Sequence, residues 1–171
     1  MTCLTTSRRQ LLLAALALPG LGLGPRAALA AQIHDLSWDD LLPEDAPALP
    51  PSLQGVVPHD EGAAPAGQAM STGVRTDWNG EIVRLAGFII PLDYSGTGVT
   101  AFILVPYVGA CIHVPPPPPN QLVLVTTETP YEDDGLFAPV VVTGMFGTAQ
   151  TSTQLADIGY ALSADKVEPY S

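Results

Sequence analysis

Alternating apolar runs rich in β-branched residues, Gly- and Pro-bearing connections between them, and the lack of any long amphipathic stretch predict a mainly β fold from Val74 onward. Several short strands of this kind suit a small antiparallel barrel, here of the OB-like Greek-key type, preceded by an irregular Pro-rich N-terminal arm. Three segments follow: an export signal over 1–30, the arm over 31–73 and the barrel over 74–171.

Ser7-Arg8-Arg9-Gln10-Leu11-Leu12 opens an uncharged stretch lasting to Pro25, and Ala28-Leu29-Ala30 places small residues where a signal peptidase reads them. A membrane span needs about 20 apolar residues, and this stretch is shorter and broken by Pro19-Gly20. It reads as an export signal with cleavage after Ala30, leaving a periplasmic protein that is not integral to the membrane. The Arg-Arg pair and Arg26 resemble a twin-arginine signal, and an ordinary Sec signal is the alternative. Cleavage removes Arg8, Arg9 and Arg26 and leaves three cations against seventeen acidic residues, a formal charge of −14. That surface repels phosphate backbones and anionic lipid, so a nucleic-acid partner is excluded. It suits plain solubility or contact with cations and basic partners. About 140 residues remain, enough for one domain with a core of its own.

IHDLSWDDLL (33–42) suits one short helix or an extended arm anchored by Trp38 and the leucines. Six prolines and many alanines between Pro43 and Gly73 predict an irregular linker. IVRLAGFII (82–90) alternates as a strand with Gly87 as its bulge. VTAFILVPY (99–107) is a second strand, 110–114 a short third, QLVLVTT (121–127) a fourth and PVVVTGMFG (139–147) a fifth. Residues 154–158 suit a helical turn, and 160–167 a last edge strand. Trp38, Phe88, Phe102, Tyr107 and Phe146 are expected in the core.

The chemistry gathers in Gly109-Ala110-Cys111-Ile112-His113-Val114, then Pro115, Pro116, Pro117, Pro118 and Pro119, then Asn120-Gln121. In a strand, residues two apart share a face, so Cys111 and His113 project together while Ile112 and Val114 turn the other way. Cys3 precedes the leader arginines, which makes Cys111 the only thiol of the exported chain and leaves it no internal disulfide partner. A thiolate and an imidazole on one face make half of a site for zinc or another transition metal, which takes three or four ligands. His34, His59 and Asp93 are the further candidate ligands, with Asp60 and Glu61 beside His59, and none stands at a diagnostic spacing. Two other roles fit Cys111: a buried small apolar group, with His113 bonded to backbone, or a reactive thiol activated by His113. The prolines, stiff and without donors, form either a wall or crossover beside Cys111 or a polyproline ligand for an aromatic groove. Asn120 and Gln121 return side-chain hydrogen bonds to this loop.

The string GACIHVPPPPPNQ, preceded by FILVPY, resembles the signature of the domain-of-unknown-function 3299 family, small exported bacterial proteins. Trp38 with Leu41-Leu42-Pro43, GEIVRLAGFIIPL (80–92), Val142-Thr143-Gly144, Gly159-Tyr160 and Val167-Glu168-Pro169-Tyr170 extend the likeness from Trp38 to Tyr170. The resemblance brings no activity and no catalytic residues. It implies association with transition-metal handling, zinc especially, alongside ABC-type metal transport machinery in the envelope. The expected function is a non-enzymatic periplasmic metal-binding or transporter-accessory protein with Cys111 and His113 as ligands. The alternatives are an envelope interaction or assembly module built on the loop from Pro115 to Pro119, and a thiol-dependent enzyme at Cys111.

Overall fold

The computed structural model describes residues 32–44, 68, 70–71, 73–110, 116–132 and 135–170. Six strands form within them: β1 (Ile33–Leu36), β2 (Ile82–Ser95), β3 (Gly98–Val105), β4 (Val123–Glu132), β5 (Pro139–Ser152) and β6 (Asp157–Pro169). They pair in the order β1-β2-β3-β4-β6-β5, and β5 returns to pair with β2. β2, β3, β4, β6 and β5 therefore close into a five-stranded Greek-key barrel of OB type. Directions cannot alternate around a ring with an odd number of strands, so one neighbouring pair must be parallel. That pair is β4 with β6, and the barrel is mixed rather than wholly antiparallel. β1 adds a short parallel strand outside the ring, along the first four residues of β2, Ile82 to Leu85.

The core follows from alternation. Val83 and Leu85, Phe102 and Leu104, Val123 and Val125, Val140 and Val142, and Tyr160 and Leu162 are spaced by two and point into the barrel. The outward residues Ile103 and Val105 of β3 join a second apolar cluster with Ile90, Tyr107, Ala110, Leu122 and Ile158. β3 is thus buried on both faces, which is why it reads as the unbroken apolar run FILV. The second cluster lies under the long connection from β3 to β4, the segment that carries the signature string.

One end of the barrel is stoppered by the N-terminal segment. After β1 the chain makes a 3-10 turn, Trp38–Leu41, and Leu41 enters the barrel core with no exposed surface. Ser37 gives both its N–H and its hydroxyl to the Asp40 carboxylate, at 2.8 and 2.7 Å, which holds that carboxyl below its ordinary pKa. Trp38 Nε1 donates to the Ala86 carbonyl at 2.8 Å. The Tyr160 hydroxyl, wholly buried, donates to the Leu41 carbonyl and accepts from the Arg75 N–H, both at 2.7 Å. Its ring lies 5.1 Å from that of Phe146, centroid to centroid. One side chain therefore holds both passes of the arm on the barrel, before and after the proline-rich stretch.

Several local expectations are corrected. The segment 33–42 is a strand followed by a 3-10 turn rather than a helix. Gly87 sits in an unbroken ladder opposite Val140, and the β2 bulge falls instead at Pro91–Tyr94, where the long strand bends from β5 toward β3. Of the expected third strand, Ala110 forms a single bridge, and 111–114 lie outside the described residues. Residues 154–158 make no helical turn, because the Thr153 hydroxyl accepts from the Leu155 and Ala156 N–H groups and closes a tight β5–β6 connection. The last strand is interior, with β4 on one side and β5 on the other. Of the expected core aromatics, Phe102, Tyr107 and Phe146 are buried, while Trp38 and Phe88 are half-buried. Among the described residues no helix is long and apolar enough to cross a membrane.

Tyr160→Phe strands a buried carbonyl and a part-buried N–H at once, so it is expected to lower unfolding stability by about 2 kcal/mol, measured by urea denaturation. Burial pushes the Tyr160 hydroxyl above its ordinary pKa of 10.0. The unfolded chain then loses this proton first. The stabilisation is complete below that value and falls as pH climbs through it toward the folded pKa. The stability difference between wild type and Tyr160→Phe should accordingly shrink above pH 10.0, and a constant difference across that range would refute the assignment.

Candidate functional site: the signature loop and its anchors

The signature string is most of the link from β3 to β4, and both of its flanks are fixed. On the upstream side Gly109 turns at φ 88°, and Ala110 is fully buried in the second cluster. Downstream, Pro117 is buried and Pro116, Pro118 and Pro119 are half-buried. A second 3-10 turn, Pro119–Gln121, follows. Its donors come from the residues after the prolines: the Gln121 N–H meets the Pro118 carbonyl at 2.8 Å, and the Leu122 N–H meets that of Pro119 at 3.3 Å.

Side-chain amides bind this flank to the N-terminal arm. Asn120 Nδ2 donates to the Gly73 carbonyl at 2.8 Å. Gln121 Nε2 donates to the carbonyls of Trp38, at 2.8 Å, and Asn120, at 3.0 Å. Asn120 and Gln121 are the only buried polar residues in the described chain, and they have this work. From the arm, Gln68 Nε2 donates to the Pro117 carbonyl at 2.9 Å and the Asp157 carbonyl at 2.7 Å, while Gln68 Oε1 accepts the Asp157 N–H at 2.8 Å. The Gln68 amide thus meets Asp157 as a peptide group of an adjoining strand would. Beneath the loop lies Gly159, where an added Cβ would stand 2.7 Å from the Pro119 carbonyl oxygen and 2.9 Å from Val74 Cγ1. The described prolines are therefore a wall laid across β6.

The candidate ligands are distributed as follows. Cys111, His113 and Pro115 lie outside the described residues, as do His59, Asp60 and Glu61. His34 is on β1 beside Val83, its ring 5.3 Å from that of Trp78 and its Nε2 3.7 Å from a Glu81 carboxylate oxygen. Asp93 is exposed near the far end of β2, where its carboxylate accepts the Tyr94 N–H at 2.9 Å. The register sets them ten residues apart along β2, roughly 30 Å at the rise of a strand. Metal–ligand bonds are about 2 Å long, so His34 and Asp93 cannot serve one ion together. Among the described residues no three His, Cys, Asp or Glu side chains gather as a metal would require.

Sequence reasoning missed Gln68. It stands in a stretch that reads as featureless linker, and its role depends on backbone groups 89 residues away. The closest sequence-level sign was the pair Asn120-Gln121, amides placed after five residues that cannot donate.

Residues 38–169 match the family described as a protein of unknown function (DUF3299). The chain is also similar to a solved structure, a DUF3299 family protein from Pseudomonas aeruginosa PAO1. The two are 39% identical with a TM-score of 0.67, over 83% of this chain and 97% of that one. No curated protein matches.

Because the Pro119 carbonyl packs on the bare backbone of Gly159, Gly159→Ala should force the proline wall off β6. The expected loss is about 1–3 kcal/mol in chemical denaturation. Hydrogen exchange at the Gln121 and Leu122 amides should quicken with it. Unchanged exchange there would mean that the loop does not depend on this contact.

Proposed function

The chain belongs to the DUF3299 family, and on that footing we propose that it is a non-enzymatic metal-binding or transporter-accessory protein of the bacterial periplasm. In this reading Cys111 and His113 are thiolate and imidazole ligands for zinc or another transition metal. The observation that carries it is the anchoring of both flanks. Buried Ala110 precedes the pair and the hydrogen-bonded stretch from Pro117 to Gln121 follows it, so the described residues on either side of the pair are held by the barrel. Fixed ends reduce the ordering cost of binding, as preorganisation does in any site.

Soft thiolate with imidazole is the donor set that zinc and copper prefer. His34 and Asp93, too far apart along β2 to serve one ion together, are not both members of such a site. The acidic composition favours a cation over an anion as cargo. An envelope transporter for metal ions is the fitting partner, since a carrier with few ligands can release what it holds. The leader-like opening over 1–30 accords with a periplasmic setting.

Zinc titration of the metal-free protein by calorimetry tests the reading against Cys111→Ser and His113→Ala. Wild type is expected to bind one equivalent, and each variant to lose at least about tenfold in affinity. Equal stoichiometry and affinity in all three proteins would remove the proposal.

A further inference from the structure

Beside the proline wall, on the side away from β4, a cleft of about 650 Å³ opens at the barrel rim. Its floor is Ile158 and Gly159, one wall is Val74 with Pro119, and the opposite wall is the end of β5 from Gln150 to Ser152. The volume is that of a small-molecule site. It exists because the β5–β6 ladder slips between Thr148 and Thr151, so two residues of β5 oppose only Gly159. A bulge of this kind leaves backbone groups out of the ladder. The arm side of the cleft is held where the Gly73 carbonyl accepts from Asn120 Nδ2 and the Arg75 N–H, next to Val74, donates to the Tyr160 hydroxyl.

The lining decides the class of ligand. None of its residues is basic, and one, Asp157, is a carboxylate. Phosphates and carboxylates meet repulsion here, reinforced by the net charge of −11. One Asp157 oxygen takes the Ser152 hydroxyl at 2.6 Å, leaving the other to accept from a ligand. The Gln150 amide both donates and accepts, and the Thr151 hydroxyl does the same. Val74, Pro119 and Ile158 supply an apolar strip. Paired donors and acceptors above an apolar strip, without positive charge, complement a molecule carrying adjacent hydroxyls on a C–H face. OB-type barrels take oligonucleotides or oligosaccharides at the loop joining their last two strands, which here is the β5–β6 connection. That is an analogy of fold, and the charge excludes the first of those ligands. The usual binding face of the second and third barrel strands is covered in this chain by the β3–β4 connection and its apolar cluster. We propose that the cleft bounded by Val74, Pro119, Gln150, Thr151 and Asp157 is a binding site for a neutral oligosaccharide.

Amide chemical shifts of the full chain, titrated with maltotriose and with tri-N-acetylchitotriose, test this directly. One of the two sugars should move the Gln150, Thr151, Ser152 and Gly159 resonances saturably. Gln150→Ala and Asp157→Asn, each removing one polar partner, should weaken that sugar about fivefold with the remaining spectrum intact. Spermidine, titrated in parallel, should leave these resonances in place. The proposal is overturned if neither trisaccharide shifts these amides, if either variant keeps full affinity, or if only spermidine binds.

Discussion

The buried hydroxyl of Tyr160 is the constraint on which the rest of this structure leans. Stoppering a barrel with a peptide segment carries main-chain polar groups into a place without water, and each must find a partner. Leu41 brings its carbonyl there and Arg75 its N–H, and a single phenol answers both. A phenylalanine would fill the same volume and satisfy neither. With the arm held at these two points, Gly73, Trp38 and Gln68 come within reach of the loop from β3 to β4, and that loop acquires its anchors.

The signature string then makes physical sense residue by residue over its described part. Five successive prolines offer carbonyls and no N–H groups. A wall made of them can be fixed only by donors brought from elsewhere. Gln68 Nε2 supplies one to the Pro117 carbonyl, and the backbone N–H groups of Gln121 and Leu122 supply those of Pro118 and Pro119, while the Asn120 and Gln121 amides tie the end of the wall to the carbonyls of Gly73 and Trp38. Two of the other segments that extend the family likeness, those carrying Gly144 and Gly159, mark places where two stretches of the chain touch backbone to backbone. Gly159 admits the Pro119 carbonyl, and Gly144 faces the backbone of Ser163 and Ala164 where the β5–β6 ladder shifts. A string that looks like a binding motif is thus in good part a packing solution. The Cys-x-His pair is the portion that packing and hydrogen bonding of the described prolines do not account for.

Much of the barrel was legible in the sequence because alternation is local. Val83 and Leu85, or Val140 and Val142, declare a buried face without reference to any partner strand. What alternation cannot state is which strand lies beside which. Residues 160–167 were therefore expected at an edge, and they prove to be interior. The bulge was expected at the glycine and falls at Pro91–Tyr94, since the bend follows from β2 serving two neighbours in turn rather than from its least bulky residue. For the candidate site, the string itself stood out, whereas its anchors did not. Gln68, Gly73 and Trp38 are unremarkable residues whose use depends on distant carbonyls.

The sequence by itself determined that this chain is mainly β, that its apolar faces alternate, and that 109–121 is its most distinctive string, because residue type and spacing act over a few neighbours. The tertiary structure alone decided the parallel pairing of β4 with β6, since a five-membered ring must contain one. It alone seated Leu41 in the barrel, placed the amide clasp of Gln68, and set His34 and Asp93 too far apart for one ion. Each of those depends on closure, which brings together residues that the chain holds far apart.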